Sequence, residues 1–320
     1  MVLLMDKDFA AAVAPFIKQL EHFEKPPRHD VGARRKLLAS FASPKEPVIP
    51  EGIMHELLHV LTADGFELPI LRFKKKTAAS GRGSGPAVLH IHGGGFISLS
   101  AAISTPNICH HVLATGVQFF SVDYRLAPEH PYPTPLEDCW TALKWVISNA
   151  ESLGVSIARI GVMGESAGGG LAAGVTLLAR DRALNPPLAR QILGYPMLDD
   201  RTNTETEPGI VTLWDADDNI TGWTAYLGSQ IGRDHVPAYA APARVEDVTG
   251  LPPLYMDVGQ LDMFAVENLA YASKFLAARI ETEIHLFPGL PHGFDGLAPE
   301  HLATKALKDN RDRQLRKLYE

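Results

Sequence analysis

The spacing of apolar positions changes once along the chain. Phe9, Val13, Phe16, Ile17 and Leu20 recur at helical intervals. Pro15 should kink or restart that helix, because its ring nitrogen has no proton for the preceding turn. EKPPRH breaks the pattern, and Asp30 is placed to cap a second helix running through Arg34 to Phe41. SPKEPVIPEG, with its three prolines, reads as a linker. No strand separates these two helices, so residues 1–50 read as an appendage.

From about residue 55 the rhythm is that of strands. HELLHVLT and FELPILRF predict a hairpin turning through Asp64-Gly65. KKKTAASGRGSG predicts a solvated loop. Six apolar runs of buried-strand type follow: AVLHIH, VQFFSVDY, ARIGVMG, RQILGYP, PLYMDVG and TEIHLFP. Helical stretches such as PLEDCWTALKWVISNA and AGGGLAAGVTLLAR separate most of them. Repeated alternation of this kind predicts an α/β domain over residues 51–320, with a mostly parallel central sheet and helices on both faces. Residues 201–235 interrupt it with acidic, turn-rich sequence and a WTAYLG helix fragment. They read as an insertion available to cover the C-terminal edge of the sheet.

Composition narrows the class. The 320 residues are 46% hydrophobic and 21% charged, an ordinary globular balance that excludes disorder. Thirty basic against 37 acidic residues give a net charge of -7, which offers no electrostatic reason to expect a nucleic-acid partner. Cys109 and Cys139 lie in apolar, helical stretches and read as buried free thiols rather than a disulfide or zinc site. MVLLMDKDFAA places Asp6 and Asp8 where a signal peptide would carry its apolar core, and no long apolar run is free of charge. The expectation is a cytoplasmic protein with no membrane span.

The candidate chemistry begins at Gly164-Glu165-Ser166-Ala167-Gly168, a G-x-S-x-G sequence between the buried run RIGVM and a small-residue helix. A serine raised in a tight strand-to-helix turn takes a strained backbone, and nearby chain segments approach too closely for side chains at the flanking positions. The helix start also directs partial positive charge at the serine. His92-Gly93-Gly94-Gly95-Phe96 follows another apolar run, 74 residues before the serine (166−92). Consecutive glycines let backbone N–H groups approach a developing oxyanion. A phosphate loop is disfavoured, since neither Lys-Ser/Thr nor G-x-G-x-x-G spacing is present. With an elbow of this type the acid and the base come later in the chain, each after a strand. His292, just after TEIHLF, is the candidate base. His285 falls within that strand and His301 in a tail helix. Asp262, after PLYMDVG, is the candidate acid, whereas Asp257 lies inside the strand and Glu267 reads as helical. His292 would take the proton of Ser166, and Asp262 would orient the imidazole. The amides of Gly94, Gly95 and Ala167 would hold the oxyanion. No metal or organic cofactor is needed.

HGGGF at 92–96, DYRLAPEHPYP at 123–133, GESAGGGLA at 164–172 and PHGF at 291–294 occur in order, with W-x-x-YLG at 223–228 as weaker support. Together they resemble the hormone-sensitive-lipase-like branch of the α/β-hydrolases, which includes bacterial family IV esterases. The resemblance spans roughly residues 85–295. It implies the α/β-hydrolase fold and a carboxylesterase acting on short- to medium-chain esters through an acyl-enzyme. It also implies a helical cap, here formed by residues 1–50 and 201–235. DYRLAPEHPYP is a structural run in that family. One departure stands out: members often carry D-P-L at the acid, and this chain has Asp262-Met263-Phe264.

Phe96, Tyr195, Trp214, Leu261 and Phe264 are the candidate pocket walls, each next to a catalytic loop or in the cap. The expected partner is a small-molecule ester, and a homodimer is left open. The same machinery also serves amidases, formamidases and acyltransferases, and a non-catalytic ligand receptor on this fold should have lost a triad residue.

Overall fold

A computed structural model of the protein describes residues 4–20, 24–41, 47–76, 84–205 and 212–320. Its centre is one eight-stranded sheet with the order β1-β2-β4-β3-β5-β6-β7-β8. The strands are β1 (Ile53–Leu61), β2 (Glu67–Lys75), β3 (Gly85–Ile91), β4 (Gln118–Val122), β5 (Val155–Glu165), β6 (Arg190–Gly194), β7 (Leu254–Gly259) and β8 (Thr282–Phe287). Every predicted apolar run therefore forms a strand. β1 and β2 pair antiparallel through the expected turn, where Gly65 has φ +83°. β2 pairs antiparallel with β4, and the strands from β4 to β8 are parallel.

The near-continuous apolar runs are explained by burial on both faces, since every residue of β4, β6 and β7 is buried. Alternate residues serve opposite faces. Leu89, Phe120, Val162, Leu193 and Met256 join α4 (Thr134–Ser148), α6 (Ala167–Asp181) and α8 (Ala265–Ala277) on one side. Val88, Phe119, Met163, Ile192 and Tyr255 meet α3 (Thr105–Thr115) and the C-terminal α10 (Leu302–Arg316) on the other. Two short helices, α5 (Ala150–Leu153) and α9 (Phe294–Leu297), complete connections to and from the sheet. Cys109 and Cys139 are buried and free, as expected.

The chain leaves β3 towards β4 on one side and arrives at β5 on the other. The crevice beyond the C-terminal ends of β3 and β5 is thus a topological switch point, the usual ligand position in open α/β sheets. The glycine loop follows β3 there, and Ser166 follows β5.

The N-terminal helices are α1 (Lys7–Leu20) and α2 (Val31–Phe41). α1 runs uninterrupted through Pro15, contrary to the expected restart. The proline lies on the exposed side, and the carbonyl it leaves without a partner belongs to Ala11, also exposed, where water can satisfy it. Phe9 and Val13 anchor the opposite side against Leu290, Phe294, Ala298 and Leu307. Asp30 caps α2 as expected, accepting from the Ala33 amide at 2.8 Å. α2 faces α7 (Ala216–Leu227), the helix of the 201–235 segment between β6 and β7. Buried Arg34 reaches Asp218 at 2.7 Å, Arg28 reaches Asp217 at 2.6 Å, and the His29 amide donates to Thr221 at 2.9 Å. Asp215 starts α7 with a reciprocal capping box to Asp218. Part of the predicted linker, 43–46, and most of the KKKTAASGRGSG loop, 77–83, lie outside the described residues, as does 206–211. Among the described residues no helix is long and apolar enough to cross a membrane.

Candidate active site

β5, buried from Ile160 to Gly164, delivers Ser166, and the turn into α6 holds it at φ 55°, ψ -123°. That conformation is costly for a residue with a Cβ, and it persists because the surroundings fix it. The Ser166 amide donates to Gly194 at 2.9 Å, and its carbonyl accepts from Gly170 and Met197. Crowding explains the flanking glycines. A Cβ on Gly168 would lie 2.1 Å from the Ile91 carbonyl oxygen, and one on Gly164 would lie 2.3 Å from that of Gly168.

Three side chains predicted from separate parts of the sequence meet at this turn. Ser166 Oγ is 2.9 Å from His292 Nε2, and His292 Nδ1 is 2.7 Å from Asp262 Oδ2. The second carboxylate oxygen of Asp262 accepts from the Phe264 amide at 2.9 Å. With Nδ1–H donated to the carboxylate, Nε2 presents a lone pair to the hydroxyl. All three residues are buried, at 8%, 7% and 5% exposure for Ser166, His292 and Asp262. His285 and His301 lie elsewhere, paired with Glu283 and Asp6. Asp257 and Glu267 also fall outside this chain of contacts, bonded to Arg311 and to the 198–202 segment respectively.

The glycine loop presses on the elbow. A Cβ at Gly93 would stand 3.3 Å from that of Ser166. Gly94 and Gly95 have φ +117° and +61°, and a Cβ on Gly95 would fall within 1.9 Å of the Trp214 ring. The Gly94 carbonyl takes the Ile97 and Ser98 amides and the Ser98 hydroxyl, which fixes the turn. No acceptor among the described residues takes the Gly94 or Gly95 amide. Ala167 opens α6, where the first amides have no partner within the helix. Behind the loop, His92 stacks on Tyr124 with centroids 4.3 Å apart, and the Tyr124 hydroxyl donates to the His92 carbonyl at 2.9 Å. Burial pushes His92 down to about 4, so it is neutral near pH 7. The structural role expected of DYRLAPEHPYP is therefore specific: its tyrosine holds the glycine loop in place.

The pocket candidates divide. Tyr195 and Phe264 meet the His292 ring edge-on, at 5.0 and 5.1 Å, and fix its plane. Trp214 covers Gly95, and half-buried Leu261 adjoins Asp262. Phe96 is 1% exposed and stacks on Tyr226 at 4.2 Å, so its ring joins glycine loop to α7. Two cavities open near α2 and α7. One of about 650 Å³ lies between residues 128–132 and 221–237, and one of about 1080 Å³ lies between α2, the hairpin and residues 98–103. Neither is lined by Ser166 or His292.

Sequence reasoning missed the polar groups near Ser166 and His292. Buried Asp257, Asp295 and Arg311 cluster there with partly buried Glu165, and Tyr195 donates to Asp295 at 2.9 Å. Glu165 was legible only as the variable position of the elbow. Arg311, in a strongly polar helix, carried no signal.

The family described as alpha/beta hydrolase fold matches residues 88–296. The esterase LipI of Mycobacterium tuberculosis is 33% identical over 258 residues, 80% of this chain and 79% of that protein. The carboxylesterase NlhH of the same species is 36% identical over 219 residues, 67% of each chain. Among solved structures, a bacterial heroin esterase superposes with a TM-score of 0.88 at 33% identity, covering 99% of this chain and 98% of that one.

Proposed function

The chain belongs to the α/β-hydrolase family, in its hormone-sensitive-lipase-like branch, and from that premise we propose that it is a serine carboxylesterase whose triad is Ser166, His292 and Asp262. The observation that carries the reading is the continuous hydrogen-bonded path of 2.9 and 2.7 Å from hydroxyl to imidazole to carboxylate. His292 Nε2 takes the Ser166 proton as Oγ attacks the ester carbonyl, and Asp262 stabilises the imidazolium. The tetrahedral oxyanion is received by the amides of Gly94, Gly95 and Ala167. One such donor is worth roughly 10²–10³ in kcat in related chemistry. His292 then protonates the leaving alcohol, and water releases the acyl group by the same steps.

Trp214, Leu261 and Phe264 bound the acyl and alcohol sites, and Tyr195 supports the imidazole. Residues 1–50 and 201–235 act together as the cap, on the support of the α2–α7 ion pairs. An ester of short to medium chain suits a serine that is only 8% exposed.

The test is a series of p-nitrophenyl esters from acetate to laurate with wild type and Ser166→Ala. Turnover greatest on the shorter esters and abolished in the variant is expected. Undiminished hydrolysis by Ser166→Ala would overturn the triad. A maximum on water-insoluble long chains would replace the esterase reading with a lipase.

A further inference from the structure

The three triad residues lie on three different segments, and one cation touches a carboxylate on each. Glu165 immediately precedes Ser166, Asp257 is on the strand that leads to Asp262, and Asp295 follows His292 by three residues. Arg311, from the C-terminal helix, grips Asp257 with a two-pronged bond, Nε to Oδ2 at 2.8 Å and one terminal nitrogen to Oδ1 at 2.7 Å. Its other terminal nitrogen stands between Glu165, at 3.7 Å, and Asp295, at 3.8 Å. Asp295 in turn accepts from Tyr195, whose ring meets His292 edge-on. Arg311 is 1% exposed.

The chain makes room for this contact. A Cβ on Gly194 would fall 2.2 Å from the Arg311 guanidinium, and the Gly194 carbonyl takes the Ser166 amide. On the far side Glu165 is held by His90 at 3.0 Å, and His90 by Ser121 at 2.9 Å. Asp257 and Asp295 are buried and Glu165 is partly so, and a buried carboxylate left there without its cation must take up a proton or move. Only a planar fork with several fixed donors can face three carboxylates at once, and a lysine ammonium lacks that geometry.

We propose that Arg311 is a positioning residue for the triad, fixing the elbow, the acid strand and the histidine loop relative to one another from beneath the sheet's C-terminal edge. The proposal rests on the triad reading above. A displacement of about 1 Å among the three reacting groups is enough to cost on the order of 10² in rate. Its signature is a loss in kcat with KM little changed, because no arm of the guanidinium reaches the ester.

The experiment compares Arg311→Met and Arg311→Lys with wild type on p-nitrophenyl butyrate. Rates are normalised to serines labelled to completion by diethyl p-nitrophenyl phosphate, with the site of labelling read by mass spectrometry. We expect kcat per labelled serine to fall roughly 10²-fold in Arg311→Met and less in Arg311→Lys, with KM within about twofold in both. A lowered melting temperature with unchanged kcat per labelled serine would make the residue merely structural and overturn the proposal. Should neither Arg311 variant fold, Asp295→Asn decides, and wild-type kcat there has the same meaning. Label found anywhere but Ser166 would instead bring down the triad reading itself.

Discussion

Asp262 shows how much a single position can carry. The family habit of D-P-L is absent, yet the amide that holds the carboxylate belongs to Phe264, the position after the usual proline. Met263 therefore replaces a residue whose missing N–H was not needed, and the departure leaves both oxygens of the Asp262 carboxylate hydrogen-bonded. Its other oxygen fixes the tautomer of His292. Asp262→Asn keeps the shape but donates where it should accept, and stabilises the wrong tautomer. We predict a fall in kcat of about 10⁴ with little change in KM or melting temperature, measured on p-nitrophenyl butyrate. Ser166 itself was readable because its strained backbone demands glycines on both sides, and that demand is written in five consecutive letters. Arg311 was not readable. A lone arginine in a polar helix looks the same whether it faces water or three carboxylates.

At the scale of elements, α8 does more than cover the sheet. Its first turns bind the segment that runs from β6 to the insertion: Asn268 donates to Pro196 at 2.7 Å, and Glu267 accepts from Leu198 at 2.6 Å, Asp199 at 3.3 Å and the Thr202 hydroxyl. Burial pushes Glu267 up to about 8, against the opposing effect of those donors. Its folded state therefore holds a proton that the unfolded chain releases near pH 4.5. The stability from this group is full below that pH and is lost as pH rises through about 8. We predict that the melting temperature of wild type falls between pH 6 and pH 9 more steeply than that of Glu267→Gln, where nothing titrates. Parallel melting curves across the range would refute it. α1 teaches a different lesson. Its apolar stripe anticipated the helix, while Pro15 argued for a break. The stripe prevailed because the lost hydrogen bond fell on the solvent side.

At the scale of the whole molecule, two stretches distant in sequence meet where α2 packs on α7. Arg34 is 2% exposed on its side chain and pairs with Asp218, so removing it leaves a largely buried carboxylate unpaired. If α2 and α7 form a working cap, Arg34→Met loosens the cap and leaves the triad alone. The expected outcome is a KM for p-nitrophenyl butyrate raised several-fold, with kcat per labelled serine within about twofold of wild type. An unchanged KM would deny these helices a part in substrate binding.

What the sequence determined by itself is local. Strand runs, the hairpin turn, the elbow and the glycine loop each depend on a few neighbouring residues, and a steric requirement among neighbours leaves a contiguous trace. The positions of Ser166, Asp262 and His292 were legible for the same reason, because each follows a strand. The tertiary structure decided what depends on residues far apart. It put Tyr195 and Phe264 against the His292 imidazole, turned Phe96 to α7, and brought Arg311 to Glu165, Asp257 and Asp295. Those pairings arise from packing and charge between surfaces that meet only after folding, and no spacing in the chain encodes which surfaces will meet.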